Sequence, residues 1–363
     1  MGSGALFAKP LHTLANIGRV KSSFVFAVAL FVVGAAQAAP PRLEKHGSTQ
    51  QLVADGRPFL ILGGELGNSS ASSAEYMRAH WPRLKAMNLN TVLAPVEWDL
   101  IEPVEGKFDW TSVDALLRDA RAHDLKLVVL WFGVWKNSMS TYVPSWVKRD
   151  QKRFPRVQTA NGSSVEILSA FSSEVRDADV RAFGAFMEHL KRVDGEKNTV
   201  ILVQVENEIG MLPIARERGA VADKLFAAPV PAELLKKHGG AKASGTWSQV
   251  YGDAEAGQEV FTAWRYARFV EALVAAGKKR YDIPMYVNAA LNRTGRKPGE
   301  YPSGGPLPHL RQTTLRTAKG RRMRSMRSEN WTPWVSRRFS SSRWAMRRMR
   351  PRARTKCSGS SGR

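Results

Sequence analysis

Between residues 58 and 288 the chain alternates short, almost wholly apolar runs with longer amphipathic ones. The apolar runs Pro58–Glu65, Asn90–Trp98, Leu125–Gly133, Thr199–Glu208 and Pro284–Asn288 each predict a strand. Strands that are apolar at nearly every position are covered on both faces, as in a parallel sheet packed between helices. The segments between them predict helices over Ala74–Met87, Val113–His123, Asp177–Val193 and Glu259–Arg280. In the first of these, Tyr76, Met77, Trp81, Leu84 and Met87 recur at roughly helical spacing. Residues 136–170 and 211–258 read as long loops, with Trp135, Asn137, Tyr142, Trp146 and Trp247 in or beside them. Strands alternating with helices fit either a (β/α)8 barrel or a doubly wound sheet.

The strand ends favour the barrel. Glu65, Glu97, Trp98, Trp131, Asn207, Glu208 and Asn288 all stand at C-terminal ends of predicted strands. A barrel collects its active site at that face, from several strands at once. No Gly-rich phosphate loop follows any strand, so a nucleotide site has no support. The seven histidines show no paired ligand spacing, so no metal and no cofactor is expected. The single cysteine, Cys357, excludes an intrachain disulfide framework and a Cys-based zinc site.

Charge changes the picture of the two ends. The formal net charge is +23 over 363 residues. Residues 311–363 hold 17 Lys and Arg against one acid, Glu329, and residues 1–38 hold Lys9, Arg19 and Lys21 and no acid. Removing +16 and +3 from +23 leaves only +4 for residues 39–310, an ordinary globular balance. At the N-terminus, Arg19 and Lys21 precede the apolar run Phe24–Gly34 and then Ala36-Gln37-Ala38. That order reads as a signal peptide over 1–38 cleaved between Ala38 and Ala39, hence export to the periplasm or medium. The apolar run is shorter than the roughly 20 residues of a bilayer span, so no stable membrane association is expected after cleavage.

The stretch Val203–Gly210 reads VQVENEIG, a buried strand running into two carboxylates around an amide. An unpaired buried carboxylate is costly, so the charge calls for a reason. Polar and aromatic groups at strand ends suit a sugar, whose hydroxyls need convergent hydrogen bonds and whose apolar ring face packs on an aromatic. Hydrolysis of a glycoside usually needs two carboxyl groups across the scissile bond. Strict alternation would place Glu206 and Glu208 on one face and Asn207 on the other, so the pattern alone does not rank the two glutamates. An ion-paired strand terminus explains the same residues.

VQVENEIG resembles the Gln-Ile/Val-Glu-Asn-Glu signature of glycoside hydrolase family 35, the β-galactosidases. The resemblance runs through GGELGNSS (63–70), NTVLAPVEWDLIEPVEGKFDW (90–110), LVVLWFGVWKNS (127–138) and YVPSWV (142–147) and covers most of residues 45–310. It implies a retaining (β/α)8 hydrolase acting on β-galactosides or related oligosaccharides. It makes Glu208 the general acid/base and Asn207 the contact to the sugar 2-hydroxyl. Glu206 is then a carboxylate that supports the site from behind or binds the sugar itself. Ile209 stands where the family commonly has Tyr, which implies a different subsite. Glu97, Trp98, Trp131, Trp135, Asn137 and Asn288 are further candidates for sugar contact; a rim ion pair for Glu97 with Trp98 and core packing for Trp131 and Trp135 are the plainer alternatives.

The resemblance also implies a nucleophilic Glu at the end of a seventh strand, and none is found. About five of the eight strands can be read. Residues 311–363 contain 15 Arg, one Leu (Leu315), one Val (Val335) and no Ile. Glu329 has no apolar strand before it. This segment reads as an out-of-frame or disordered tail. A nucleic-acid arm, with Trp331, Trp334 and Trp344 stacking on bases, and a membrane-surface segment are the competing readings. An exported sugar hydrolase has little use for such an arm, so no nucleic-acid partner is expected. The expectation is an incomplete TIM-barrel glycosidase over 39–310, inactive for want of its nucleophile, or a sugar-binding protein built on the same face. The oligomeric state is not legible.

Overall fold

The structure, a computed structural model, describes residues 39–238 and 244–288. Residues 1–38, expected as a signal peptide, the end of the expected barrel segment beyond 288 and the Arg-rich segment 311–363 lie outside the described residues. Residues 39–58 form an antiparallel sheet of β1 (Arg42–His46), β2 (Thr49–Ala54) and β3 (Arg57–Pro58). The parallel strands follow: β4 (Gly63–Glu65), β5 (Thr91–Glu97) and β6 (Lys126–Phe132), then, past a hairpin of β7 (Arg156–Gln158) and β8 (Ser164–Leu168), β9 (Val200–Val205) and β10 (Met285–Tyr286). The sheet order is β10-β9-β6-β5-β4, with every neighbouring pair parallel. Apart from the separate β7–β8 hairpin, successive strands from β4 to β10 are thus neighbours in this sheet. A doubly wound sheet reverses its strand order at a switch point; this one does not. The five strands are an arc of a (β/α)8 barrel.

Both faces of the sheet are covered, as the apolar runs predicted. On β6, Leu127, Val129 and Trp131 face the helical layer, and Val128, Leu130 and Phe132 face the other way. The inner set packs with Ile201 and is closed off by Leu52 and Ala54 from β2. The N-terminal sheet therefore plugs the inner face, a role not read from the sequence.

The helices that cover the sheet include α1 (Ala74–Arg78), α2 (Trp81–Ala86), α3 (Thr111–Ala122), α4 (Ser173–Asp194) and α5 (Glu255–Arg280), besides other short helices. The helix expected over Ala74–Met87 is broken into α1 and α2. Pro82 sits in the first turn of α2, where its missing N–H is harmless. A continuous helix would set its ring against the carbonyl of Arg78. α4 begins four residues earlier than expected because the Ser172 side chain accepts the N–H of Val175. α4 and α5 cross closely at Gly277, where a Cβ would come within 2.6 Å of the Phe183 ring. The expected strand Pro58–Glu65 is also divided: Pro58 belongs to the N-terminal sheet and only Gly63–Glu65 to the barrel. The supposed loops carry structure of their own, including the β7–β8 hairpin and the short helix Trp247–Tyr251.

Candidate active site

β9 ends at Val205, and the backbone then departs from strand geometry. Glu206 and Glu208 both take left-handed conformations, with φ of +60° and +47°. Such angles are uncommon for residues other than glycine. They break the alternation that left the two glutamates unranked. Glu206 is fully buried and turns towards the helical layer, where it meets Asp179 of α4. Its Oε1 accepts the N–H of Val134 at 3.2 Å and its Oε2 that of Trp135 at 2.7 Å. Glu206 has no exposed oxygen to offer a sugar, so the expectation of a sugar-binding role is corrected: it anchors the chain after β6.

Asn207 and Glu208 remain at the strand-end face. The Asn207 amide donates to the Lys136 carbonyl at 2.7 Å, and its Oδ1 accepts from Gln204 and from Asn288, each at 2.8 Å. Asn288, just past β10, in turn accepts the backbone N–H of Glu208 at 2.8 Å. One asparagine side chain thus holds both members of the Asn-Glu pair from the neighbouring strand. The Glu208 residue itself is half-buried.

Two other carboxyls share this face. Glu97, the last residue of β5, is 7% exposed and its Oε1 has no hydrogen-bond partner among the described residues. Burial pushes its carboxyl up to about 7, against a hydrogen bond from Ser69 that acts the other way. At neutral pH it can therefore serve a hydroxyl as donor or acceptor. Glu65, at the end of β4, keeps an exposed edge; partial burial, then the charge of Glu208, raises it above the usual carboxylate range. Ser69 and the Tyr142 hydroxyl lie 2.7 Å apart beside them. Burial, with a contribution from Glu65, also raises the half-buried Tyr286 phenol. Glu65, Ser69, Tyr142 and Tyr286 were not put forward as site residues. Glu65 was visible as a strand end, whereas Ser69 and Tyr142 are brought in by loops and Tyr286 by the pairing of β10 with β9.

The tryptophans are corrected. Trp98, Trp131 and Trp135 are each 0% exposed and present no face to a ligand. Trp131 packs on Phe183 and Phe186 and donates its Nε1 to Asp179 at 3.1 Å. Trp98 donates to Glu102 at 2.7 Å and meets Trp146 edge-on. Trp135 donates to the Gly210 carbonyl and sits edge-on to Tyr266 and Phe269. The alternation of β6 explains Trp131: it shares the helix-facing side with Leu127 and Val129. Asn137 spends its Oδ1 on a turn, accepting from Met139 N–H and the Ser140 hydroxyl at 2.8 and 2.9 Å. The Glu-Pro-x-x-Gly stretch is also structural, because Glu102 is fully buried and its Oε1 accepts the N–H of Gly106.

The barrel arc thus gathers Glu65, Glu97 and the Asn207–Glu208 pair at its strand ends. The profile of glycosyl hydrolases family 35 matches residues 51–267, and the chain belongs to that family. A β-galactosidase from Xanthomonas manihotis is 30% identical over 198 residues, covering 51% of this chain and 30% of that protein. Beta-galactosidase-1-like protein 3 from Homo sapiens is 33% identical over 164 residues, 43% of this chain and 22% of its own. The chain spans less than a third of the length of these relatives. Among solved structures, a β-galactosidase from the psychrophilic Marinomonas ef1 aligns with a TM-score of 0.44 and 15% identity over 63% of this chain and 37% of that one.

Proposed function

We propose that the strand-end face binds a terminal β-galactosyl residue, with Glu208 as the general acid/base of a retaining hydrolysis and Asn207 on the sugar 2-hydroxyl. The observation that carries this is the clamp of Asn288 on Asn207 and Glu208, beside Glu97 and Glu65, in a member of family 35. Glu97, the last residue of β5 and still 7% exposed, is the proposed hydroxyl contact.

A retaining mechanism also needs a second carboxyl about 5–5.5 Å from the first. Glu329, the one acid among residues 311–363, follows no apolar strand. We therefore read this 363-residue chain as inactive by itself, with residues 311–363 out of frame. The test is nitrophenyl β-galactoside hydrolysis by this chain and by a version whose reading frame is restored after Leu310. Turnover is expected only from the second. Turnover by the first that disappears in Glu329→Gln overturns this reading. Selective retention on galactose resin over heparin resin separates the sugar-binding role from a role led by the basic tail.

Export is part of the same proposal. N-terminal sequencing of periplasmic or secreted material should begin at Ala39; an intact Met1 in a soluble cytoplasmic fraction rejects it.

A further inference from the structure

Behind the strand-end face lies a carboxyl pair that substrate does not reach. Asp179 of α4 and Glu206 are both 0% exposed and lie within hydrogen-bonding reach of one another. Two ionised carboxylates are acceptors only and repel; a hydrogen bond between them requires a proton. Both Glu206 oxygens already accept a backbone N–H, whereas Asp179 Oδ2 is buried with no hydrogen-bond donor directed at it. The proton is therefore shared between Asp179 and Glu206. The pair is packed around Gly133, where a Cβ would come within 2.5 Å of Trp131 Nε1, 2.6 Å of Glu206 Oε1 and 2.9 Å of Asp179 Oδ1.

Its mechanical connections lead to the proposed acid/base. Glu206 fixes the amides of Val134 and Trp135. The next two carbonyls on that segment hold Asn207, Trp135 O accepting its backbone N–H at 3.2 Å and Lys136 O its side-chain amide. Asn207 meets Asn288, and Asn288 holds the Glu208 amide. We infer that Asp179 and Glu206, sharing one proton, are positioning residues that set Asn207 and Glu208 through the 133–136 segment. This rests on the proposed roles of those two residues, while the positioning itself can be read without any substrate.

The groups facing the pair are Trp131 of β6, the Val134 and Trp135 amides, and the buried carboxyl of Glu102, which acts on Asp179 and is itself bonded to Trp98, Gly106 and, at 3.4 Å, Arg181. Burial raises both members of the pair above their ordinary values of 3.8 and 4.5; the charge of Asp179 and the hydrogen bond between the two raise Glu206 further, and that same bond acts downwards on Asp179. The pair's contribution to stability is therefore fully present below those ordinary values. It is lost as pH rises towards the folded-state values, where the second proton departs and the pair repels.

The experiment uses the full chain labelled with 15N-asparagine, the Asn207 side-chain amide being assigned through Asn207→Asp. That signal and the tryptophan emission are followed from pH 5 to 10. Both are expected to move with one shared midpoint. Asp179→Asn keeps a donor towards Glu206 and an acceptor for Trp131 but has no proton to lose, so it should abolish the shared transition while keeping the low-pH spectrum. Asp179→Ala should displace the Asn207 signal at every pH; if that variant does not fold, the asparagine variant decides alone. A wild-type Asn207 signal that stays fixed while the emission titrates, or an unchanged midpoint in Asp179→Asn, overturns the inference. In the frame-restored version, Asp179→Asn should remove one alkaline limb of the kcat profile for nitrophenyl β-galactoside. Absence of all turnover there, with the spectral transition intact, counts against the galactosidase reading and leaves the positioning standing.

Discussion

In the frame-restored version of this protein, Glu208→Gln is expected to slow hydrolysis of alkyl β-galactosides by roughly 10²–10⁴-fold, the usual range for a lost general acid. Aryl galactosides with good leaving groups should lose far less in the step that forms the glycosyl-enzyme, because such a group departs with little protonation. The selective pattern belongs to Glu208 alone. Glu206→Gln should affect alkyl and aryl substrates alike, because its two oxygens hold backbone amides away from the strand-end face. Pre-steady-state rates on a matched pair of substrates read the difference. Equal losses for both substrates in Glu208→Gln, or selectivity appearing in Glu206→Gln, would remove Glu208 from the acid/base role.

Trp131→Ala is expected to cost about 3–5 kcal/mol of folding stability, as large-to-small changes in cores do. Typical domains have only about 5–15 kcal/mol in total, so the variant should be largely unfolded or melt far below the parent. Two losses combine. The indole leaves a cavity against Phe183 and Phe186, and Asp179 loses the donor that satisfies one oxygen. Thermal unfolding followed by near-ultraviolet circular dichroism measures this. A sugar platform would behave oppositely: the alanine variant would melt normally and lose only galactoside affinity. That outcome would restore Trp131 to the binding site.

The contrast between these two residues shows what kind of information the chain carries locally. Glu208 and Trp131 both stand at strand ends in apolar runs, and neither periodicity nor residue type separates them. A run that is apolar on both faces has no alternation to say which side is inward. The side of Trp131 is fixed by which residues of β6 meet α4, a contact across some 50 positions of chain. Glu206 and Glu208 were likewise equivalent until the left-handed turns at both residues sent one to the helices and left the other at the face. Those turns are held by Asn288 and by the amides of Val134 and Trp135, all more than 70 residues away.

The break at Pro82 was there to be read, since a proline in mid-helix acts through its own ring and its missing N–H. The N-terminal sheet was not, because Leu52 and Ala54 become core only when β6 and β9 stand over them. The sequence by itself determined the alternation of buried strands and helices, the Asn-Glu pair at the end of β9 and the family, since these rest on residue type and short spacing. Tertiary structure alone decided the burial of three tryptophans, the pairing of Glu206 with Asp179 and the clustering of Glu65, Glu97 and Glu208. Each of these depends on which distant segments share one small volume, and burial and hydrogen bonding are properties of that shared space, not of the residues that enter it.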